Sequence, residues 1–395
     1  MAGIYVHIPF CKSRCIYCGF YSTTLGTDVM KAYVDGLCQE MEARKDFFHS
    51  KVQTIYLGGG TPSQLSPTLL SRLLLYIYKV YEVDSQAEVT IECNPDDITP
   101  EFAEAIAQLP TNRVSMGAQT FSDERLRWLH RRHTAQQVER AVSLLRQANI
   151  TNISIDLMFG FPDESLADWQ SDIHRTTDLK PEHISAYSLM VEEGTPLYKM
   201  MNSRNAAHSS EEDEEERSRQ MYEMLIDELT AAGYEHYEIS NFARLPQMSM
   251  RSFRSRHNSS YWNDTPYLGI GAAAHSYDGH RRWWNISDVK AYIERMRTGE
   301  SAVEEQEMID PITHYNDLIT TALRTREGIL LDTFRETFSA DYYQYLMNNA
   351  SPHIKRGTMT VDNGCLHLTR QGLFISDDIM SDLILLPSDT QEPSC

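Results

Sequence analysis

Cys11-Lys12-Ser13-Arg14-Cys15-Ile16-Tyr17-Cys18 sets three cysteines at x3 and x2 spacing, in a loop that begins ten residues into the chain. Three thiolates make an incomplete ligand set. A four-iron cluster normally takes four, so three leave one iron open to a substrate or cofactor. Upstream, Ile4-Tyr5-Val6-His7-Ile8 reads as a strand that Pro9 and Phe10 interrupt. The loop therefore hangs from the C-terminal end of a first strand, where parallel α/β proteins place their chemistry.

Other readings of the thiols fit less well. A structural zinc site pairs two Cys-x2-4-Cys or His-containing halves, and no second half lies at the usual distance. Seven cysteines in 395 residues, an odd number with no signal peptide, argue against a disulfide framework and for a reducing compartment. Cys38, Cys93, Cys365 and Cys395 are isolated in sequence and read as ordinary buried or terminal residues.

Outward from the loop the chain repeats one unit. A helical pattern over Asp28 to Phe48 is followed by a strand, Val52 to Leu57, that opens into Gly58-Gly59-Gly60-Thr61-Pro62. The triplet permits positive φ and close backbone approach. It lacks the Gly-Lys-Ser/Thr of a phosphate loop and the spacing of a dinucleotide fingerprint. Further strands are expected at Ala87–Glu92, Arg113–Ala118, Asn152–Leu157 and His183–Leu189, with helices between them. Six strands alternating with helices predict a parallel sheet wound into a partial barrel. Polar residues stand where successive strands end: the three cysteines, then Gly59, Gly60 and Thr61, then Glu92, Gln119 and Asp156. Alone, each reads as a capping or solvated residue. Five strand ends on one rim predict a site.

The second half is less regular. Glu211 to Glu216 form an acidic run, read as a solvated helix start after a loop around Asn202 to Ser210, with a disordered or partner-binding loop as the alternative. Tyr234 to Ile239 reads as one more strand, after which the chain is expected to leave the barrel. RSFRSRHNSSYW follows at residues 251–262. His, Tyr and Trp close together are most often a packed domain junction, and Arg251, Arg254 and Arg256 fit carboxylates as well as they fit a solvated loop. Helices over 310–347 and a hairpin turning at Asp362-Asn363-Gly364 suggest a winged-helix shape. Residues 301–395 hold 6 Lys and Arg against 15 Asp and Glu, which argues against nucleic acid, so this part is expected to be a lid or a docking surface.

Tyr5-Val6-His7-Ile8-Pro9-Phe10-Cys11, followed by Cys15, Tyr17 and Cys18, resembles the signature of radical S-adenosylmethionine proteins. More narrowly it resembles the oxygen-independent coproporphyrinogen III dehydrogenase group, which has a heme-chaperone branch, and the likeness spans nearly the whole chain. The resemblance implies an α/β fold, a partial six-unit (β/α) barrel with a mostly helical, winged-helix-like C-terminal domain. It divides the chain into a barrel at 1–240, a connecting segment at 241–305 and a C-terminal domain at 306–395. It implies that Cys11, Cys15 and Cys18 hold a [4Fe–4S] cluster and that the Gly59 loop holds the amino-acid part of S-adenosylmethionine. Tyr5, Gly59 and Glu92 correspond to contacts to S-adenosylmethionine at the cluster. Tyr17, Gly60, Thr61, Gln119, Arg131 and Asp156 correspond to contacts to a second molecule of it. His257, Asn258, Tyr261 and Trp262 match the HNxxYW motif associated with heme binding.

Two features separate the branches. The dehydrogenase has a further cysteine two residues past the third, where this chain has Phe20, and an extension before the first strand, which here begins almost at once. The expectation is therefore a heme chaperone that passes heme to acceptor proteins, with coproporphyrinogen III decarboxylation as the alternative. Its expected partners are heme, acceptor proteins and a reductant for the cluster, together with a homodimer and transient membrane-protein contact. A net charge of -20 disfavours nucleic acid, and no apolar run approaches the roughly 20 residues that span a bilayer, so a cytoplasmic location is expected.

Overall fold

In the computed structural model, which describes residues 2–203, 211–246 and 252–386, six strands run parallel in chain order. They are β1 (Gly3–Ile8), β2 (Val52–Gly59), β3 (Val83–Cys93), β4 (Arg113–Gln119), β5 (Ile153–Phe159) and β6 (His183–Ser188). Between them lie α1 (Thr27–Ala43), α2 (Pro67–Val80), α3 (Pro100–Ala107), α4 (Asp123–Trp128), α5 (Ala135–Gln147) and α6 (Leu166–Asp178). Local chemistry fixes the helix starts. Ser66 accepts the backbone N–H of Leu69 ahead of Pro67, and Thr99 does the same for Phe102 ahead of Pro100.

Alternation sorts the two faces of each strand. Ile55 and Leu57, Val89 and Ile91, Val114 and Met116, and Ile153, Ile155 and Leu157 are buried in the main core with the helices. The intervening positions are polar. Thr54, Glu88, Thr90, Ser115, Ser154, His183 and Ser185 are buried on the other side of the sheet, inside the barrel.

The chain continues through α7 (Pro196–Ser203) and α8 (Glu211–Ala231) to a hairpin of β7 (Tyr234–Glu238) and β8 (Asn241–Arg244), which pairs antiparallel with β6. Contrary to the expectation from its sequence, it does not then leave the barrel. After α9 (Arg256–Tyr261), β9 (Tyr267–Ile270) returns to pair with β1 in parallel, Gly3 beside Tyr267 and Val6 beside Ile270. β10 (His275–Tyr277), β11 (Arg281–Asn285) and, beyond α10 (Val289–Thr298), β12 (Val303–Met308) extend the sheet antiparallel. Twelve strands result, in the order β12-β11-β10-β9-β1-β2-β3-β4-β5-β6-β8-β7.

A buried carboxylate ties this return to the first helix. Glu40 of α1 is 1% exposed and meets Arg44 at 3.0 Å, the Tyr292 hydroxyl at 2.7 Å, the Asn285 amide at 2.7 Å and the Gly271 N–H at 2.8 Å. Each partner donates, so the charge is compensated where it lies.

The remaining chain has its own core, in which Tyr315, Ile319, Phe334, Leu346 and Leu366 are buried. It comprises α11 (Pro311–Ala322), β13 (Ile329–Leu330), α12 (Leu331–Thr337), α13 (Ala340–Arg356), β14 (Met359–Asp362), β15 (Cys365–Leu368), α14 (Arg370–Leu373) and α15 (Ser376–Leu383). The hairpin turns at Asn363 and Gly364, with φ of 50° and 80°, the two positive values that a tight right-twisted hairpin requires. This domain meets the barrel at Arg324, which pairs with Glu238 at 2.9 Å and lies over the Trp262 ring. Residues 204–210 of the loop expected around Asn202 to Ser210, and Arg251, lie outside the described residues. No helix among the described residues is long and apolar enough to cross a membrane.

Because four donors converge on Glu40, Glu40→Ala is expected to destabilise the protein by about 3 kcal/mol or more, leaving Arg44 without its buried partner. A urea midpoint equal to that of the wild type would show that the network contributes little.

Candidate functional site

The cysteine loop is held by its backbone. Cys11 N–H donates to Thr23 O at 2.8 Å, Thr23 N–H to Pro9 O at 2.7 Å and Ile16 N–H to Leu129 O at 3.3 Å. Ile16, buried between Cys15 and Tyr17, anchors the middle of the loop and accepts the Leu197 N–H at 2.9 Å. All three thiols are free. The Thr61 hydroxyl donates to Cys11 Sγ at 3.5 Å and Arg131 Nη1 to Cys15 Sγ at 3.6 Å, contacts that suit thiolates. Burial pushes the Cys11 and Cys18 thiols up in pKa. Among the described residues no three His, Cys, Asp or Glu side chains converge as ligands of one ion. A cluster makes a different demand, one thiolate for each of three irons.

The glycine loop is shaped by steric necessity. Gly59 has φ +106°, and a Cβ there would fall 2.3 Å from the His7 ring; one on Gly60 would fall 2.7 Å from the Pro9 backbone. The ends of β1 and β2 can pass each other only without side chains at these positions. Gly59 N–H donates to Glu92 at 3.0 Å and the Tyr56 hydroxyl donates to the other oxygen of that carboxylate at 2.7 Å. Burial outweighs both contacts and raises the Glu92 pKa from 4.5 to about 7. Asp156, which accepts from Ser115 at 3.4 Å, is raised by burial from 3.8 to about 6.

A bulge ends β4, and Gln119 takes φ +69° there. Arg131 reaches into the same region. Its Nη2 donates to Gly117 O at 2.6 Å and Asn94 Oδ1 at 2.7 Å, while the adjacent Arg132 pairs with Asp96 and Asp97. Tyr17 is packed against Leu129, Met158 and Phe161, and burial raises its pKa. One cavity of about 680 Å³ unites these groups: Cys11, Cys15, Tyr17, Cys18, Gly59, Gly60, Thr61, Glu92, Gln119, Arg131 and Asp156 all line it. Tyr5 does not. It sits below, its hydroxyl bonded to His7 Nδ1 at 2.9 Å and its ring stacked on Tyr56. A smaller cavity of about 280 Å³ beside Phe47 and Trp283 contains none of the expected residues.

The HNxxYW segment forms α9 and the residue after it, and its members diverge. His257 is 1% exposed, with Nδ1 bonded to Thr54 Oγ1 and Nε2 to the Tyr261 hydroxyl, both at 2.9 Å. As folded, neither ring nitrogen is free for iron. Burial lowers its pKa to about 3, so the ring is neutral. Glu88 accepts the Arg256 and His257 N–H groups at 3.1 and 3.0 Å, which fixes the helix start inside the barrel. Asn258 alone of the four lines the cavity, and Trp262 faces Arg324. Arg254 and Arg256 do not face a ligand: Arg254 binds Glu235 and Glu327, and Arg256 the Gln86 carbonyl.

Sequence reasoning missed Tyr56, Ser115, Ser185, Tyr187, Met190 and Glu192, all of which line the cavity, as does Cys93. The signal was present for some of these. Ser115 and Gly117, Asp156 and Met158, and Ser185 and Tyr187 fall at alternate positions of their strands, the period that sends side chains to one face. Arg113, on the same alternation, is 1% exposed, and its Nε has no partner among the described residues. Its charge opposes the upward shift of Glu92 and Asp156. Among the described residues, those lining the cavity all fall between Cys11 and Asn258, and none comes from the C-terminal domain.

Residues 5–175 match the Radical SAM superfamily and residues 309–375 the HemN C-terminal domain. The solved structure of coproporphyrinogen III oxidase (HemN) from Escherichia coli has the same fold, with a TM-score of 0.82 over 97% of this chain and 90% of that one, at 23% identity. Fold and domains thus define a radical S-adenosylmethionine protein with a HemN-type C-terminal domain. A heme chaperone HemW of Lactococcus lactis is 32% identical over 96% of this chain and 97% of its own length. One of Bacillus subtilis is 31% identical over 96% and 98%. The chain belongs to the HemW family.

Glu92 and Asp156 bind protons more tightly in the folded protein than at their ordinary values of 4.5 and 3.8. The folded state then holds more protons than the unfolded one, so their contribution falls as pH rises from about 4 to about 7. Glu92→Gln is expected to flatten this decline, seen as a smaller drop in the urea midpoint of the metal-free protein. An unchanged slope would place its titration elsewhere.

Proposed function

We propose that this chain binds heme and transfers it to heme-accepting proteins, and that Cys11, Cys15 and Cys18 hold a [4Fe–4S] cluster with S-adenosylmethionine at its open iron. What carries the reading is similarity over nearly the full length of relatives named heme chaperones. Phe20 supports it: two residues past Cys18, where the dehydrogenase resemblance asks for cysteine, stands an exposed phenylalanine.

The donor set fits the cluster. Three free thiols border one cavity, two of them already accepting hydrogen bonds. A hydroxyl and a guanidinium donating to sulfur stabilise thiolate charge and tune a cluster's potential. When bound, the cluster and S-adenosylmethionine supply one-electron chemistry. The residues of this chain bind, orient and shield. Gly59 and Gly60 let backbone approach a ligand, and Gly59 N–H also holds Glu92 in place. Glu92 and Asp156 offer carboxylates at the cavity wall for the ammonium and hydroxyl groups of S-adenosylmethionine, and Arg131, beside Gln119, offers a guanidinium. Acceptor proteins, a reductant, a homodimer and transient membrane-protein contact belong to the same reading.

The protein reconstituted with iron and sulfide should bind heme in an absorbance titration and leave coproporphyrinogen III unconverted under anaerobic reducing conditions. Robust conversion would favour the dehydrogenase alternative. Cys15→Ala should lose the visible absorption and bound iron of the reconstituted protein; iron content equal to the wild type would remove Cys15 from the ligand set.

A further inference from the structure

The cavity has an unusual edge. Phe20 is 69% exposed, Met190 67% and Tyr187 44%, and all three line the mouth of the one cavity that holds the cysteines. Phe20 lies on the cysteine loop, Tyr187 at the end of β6 and Met190 on the segment after it, and the two loops meet. A Cβ on Gly19 would overlap the Glu192 carboxylate at 1.9 Å, and Leu197 N–H bonds to Ile16 O, so the cysteine loop and the segment after β6 are in contact. Large apolar side chains gathered at a concave rim, rather than scattered, mark a surface that is covered by something. Arg14, exposed on the cysteine loop, lines the same mouth.

We propose that heme docks on this rim, its ring against Phe20, Tyr187 and Met190 and a propionate on Arg14. The inference rests on the heme-chaperone reading and moves the heme away from the HNxxYW segment. Three observations carry it. The ligand is flat, apolar and edged with carboxylates, which matches two aromatic rings, a thioether and a guanidinium at one mouth. His257 of the HNxxYW segment has both ring nitrogens engaged inside the barrel floor. Arg254 and Arg256, near that segment, are bound to Glu235, Glu327 and the Gln86 carbonyl.

The test titrates hemin, and separately hemin dimethyl ester, into the full-length reconstituted protein. Phe20→Ser combined with Met190→Ser should weaken both ligands about tenfold, the loss expected when large apolar contacts are removed. Arg14→Gln should weaken hemin several-fold, about what one charge-assisted contact gives, and leave the ester unchanged. Far-UV circular dichroism and iron content equal to the wild type serve as folding controls, and the single variants stand in if the double variant fails them. Wild-type affinity in the rim variants overturns the proposal. Failure of the wild type to bind hemin overturns the heme-chaperone reading first and this inference with it.

Discussion

The inside of the barrel is polar, and its strands are buried on both faces along most of their length. Apolar side chains turned outward need only helices to cover them. The inward ones need partners, since a buried polar group left unpaired costs about 1–3 kcal/mol. The strands satisfy one another in part: Ser154 bonds His183 at 2.8 Å, and His183 bonds Tyr237 at 2.7 Å. They cannot satisfy Thr54 and Glu88. Those two receive the His257 ring and two backbone N–H groups from α9, a helix 169 residues further along the chain than Glu88. The barrel is finished by a segment that comes after it.

That dependence explains what could be read from the sequence. The cysteine loop, the glycine triplet and the Asn363-Gly364 turn announce themselves locally, because spacing, absent side chains and positive φ are properties of a few adjacent residues. The six βα units show for the same reason. The return of β9 to β1 left no mark: four residues, Tyr267–Ile270, pair with residues 264 positions earlier, and neither segment encodes the other. His257 was legible as a residue and not as a role. A histidine beside Tyr and Trp looks the same whether its nitrogens face iron or, as here, a threonine and a tyrosine.

Once α9 is seen as the floor, the HNxxYW residues become a connection between regions. His257 and Tyr261 are inside, Asn258 reaches the cavity, and Trp262 lies outside, under Arg324. Arg324 also pairs with Glu238, and its carbonyl accepts the Ile239 N–H at 3.0 Å. This segment thus touches the base of the cavity and, through Arg324, is joined to the β7–β8 hairpin and the C-terminal domain. A substitution at His257 would disturb all three through packing, so loss of function there would not by itself identify a ligand to iron.

The cavity wall and its mouth differ in what they can hold. Along the wall, burial raises the pKa of Glu92 to about 7 and of Asp156 to about 6, while the buried Arg113 opposes both shifts and Arg131 opposes that of Asp156. A ligand there gains only if it offers matched charge and hydrogen bonds, as a polar cofactor does; an apolar macrocycle would strip water from these groups and return nothing. At the mouth the balance reverses. Phe20, Tyr187 and Met190 lose little by being covered, while an aromatic ring gains the same apolar burial they do. Two ligands of opposite character can therefore share one opening without competing for the same atoms.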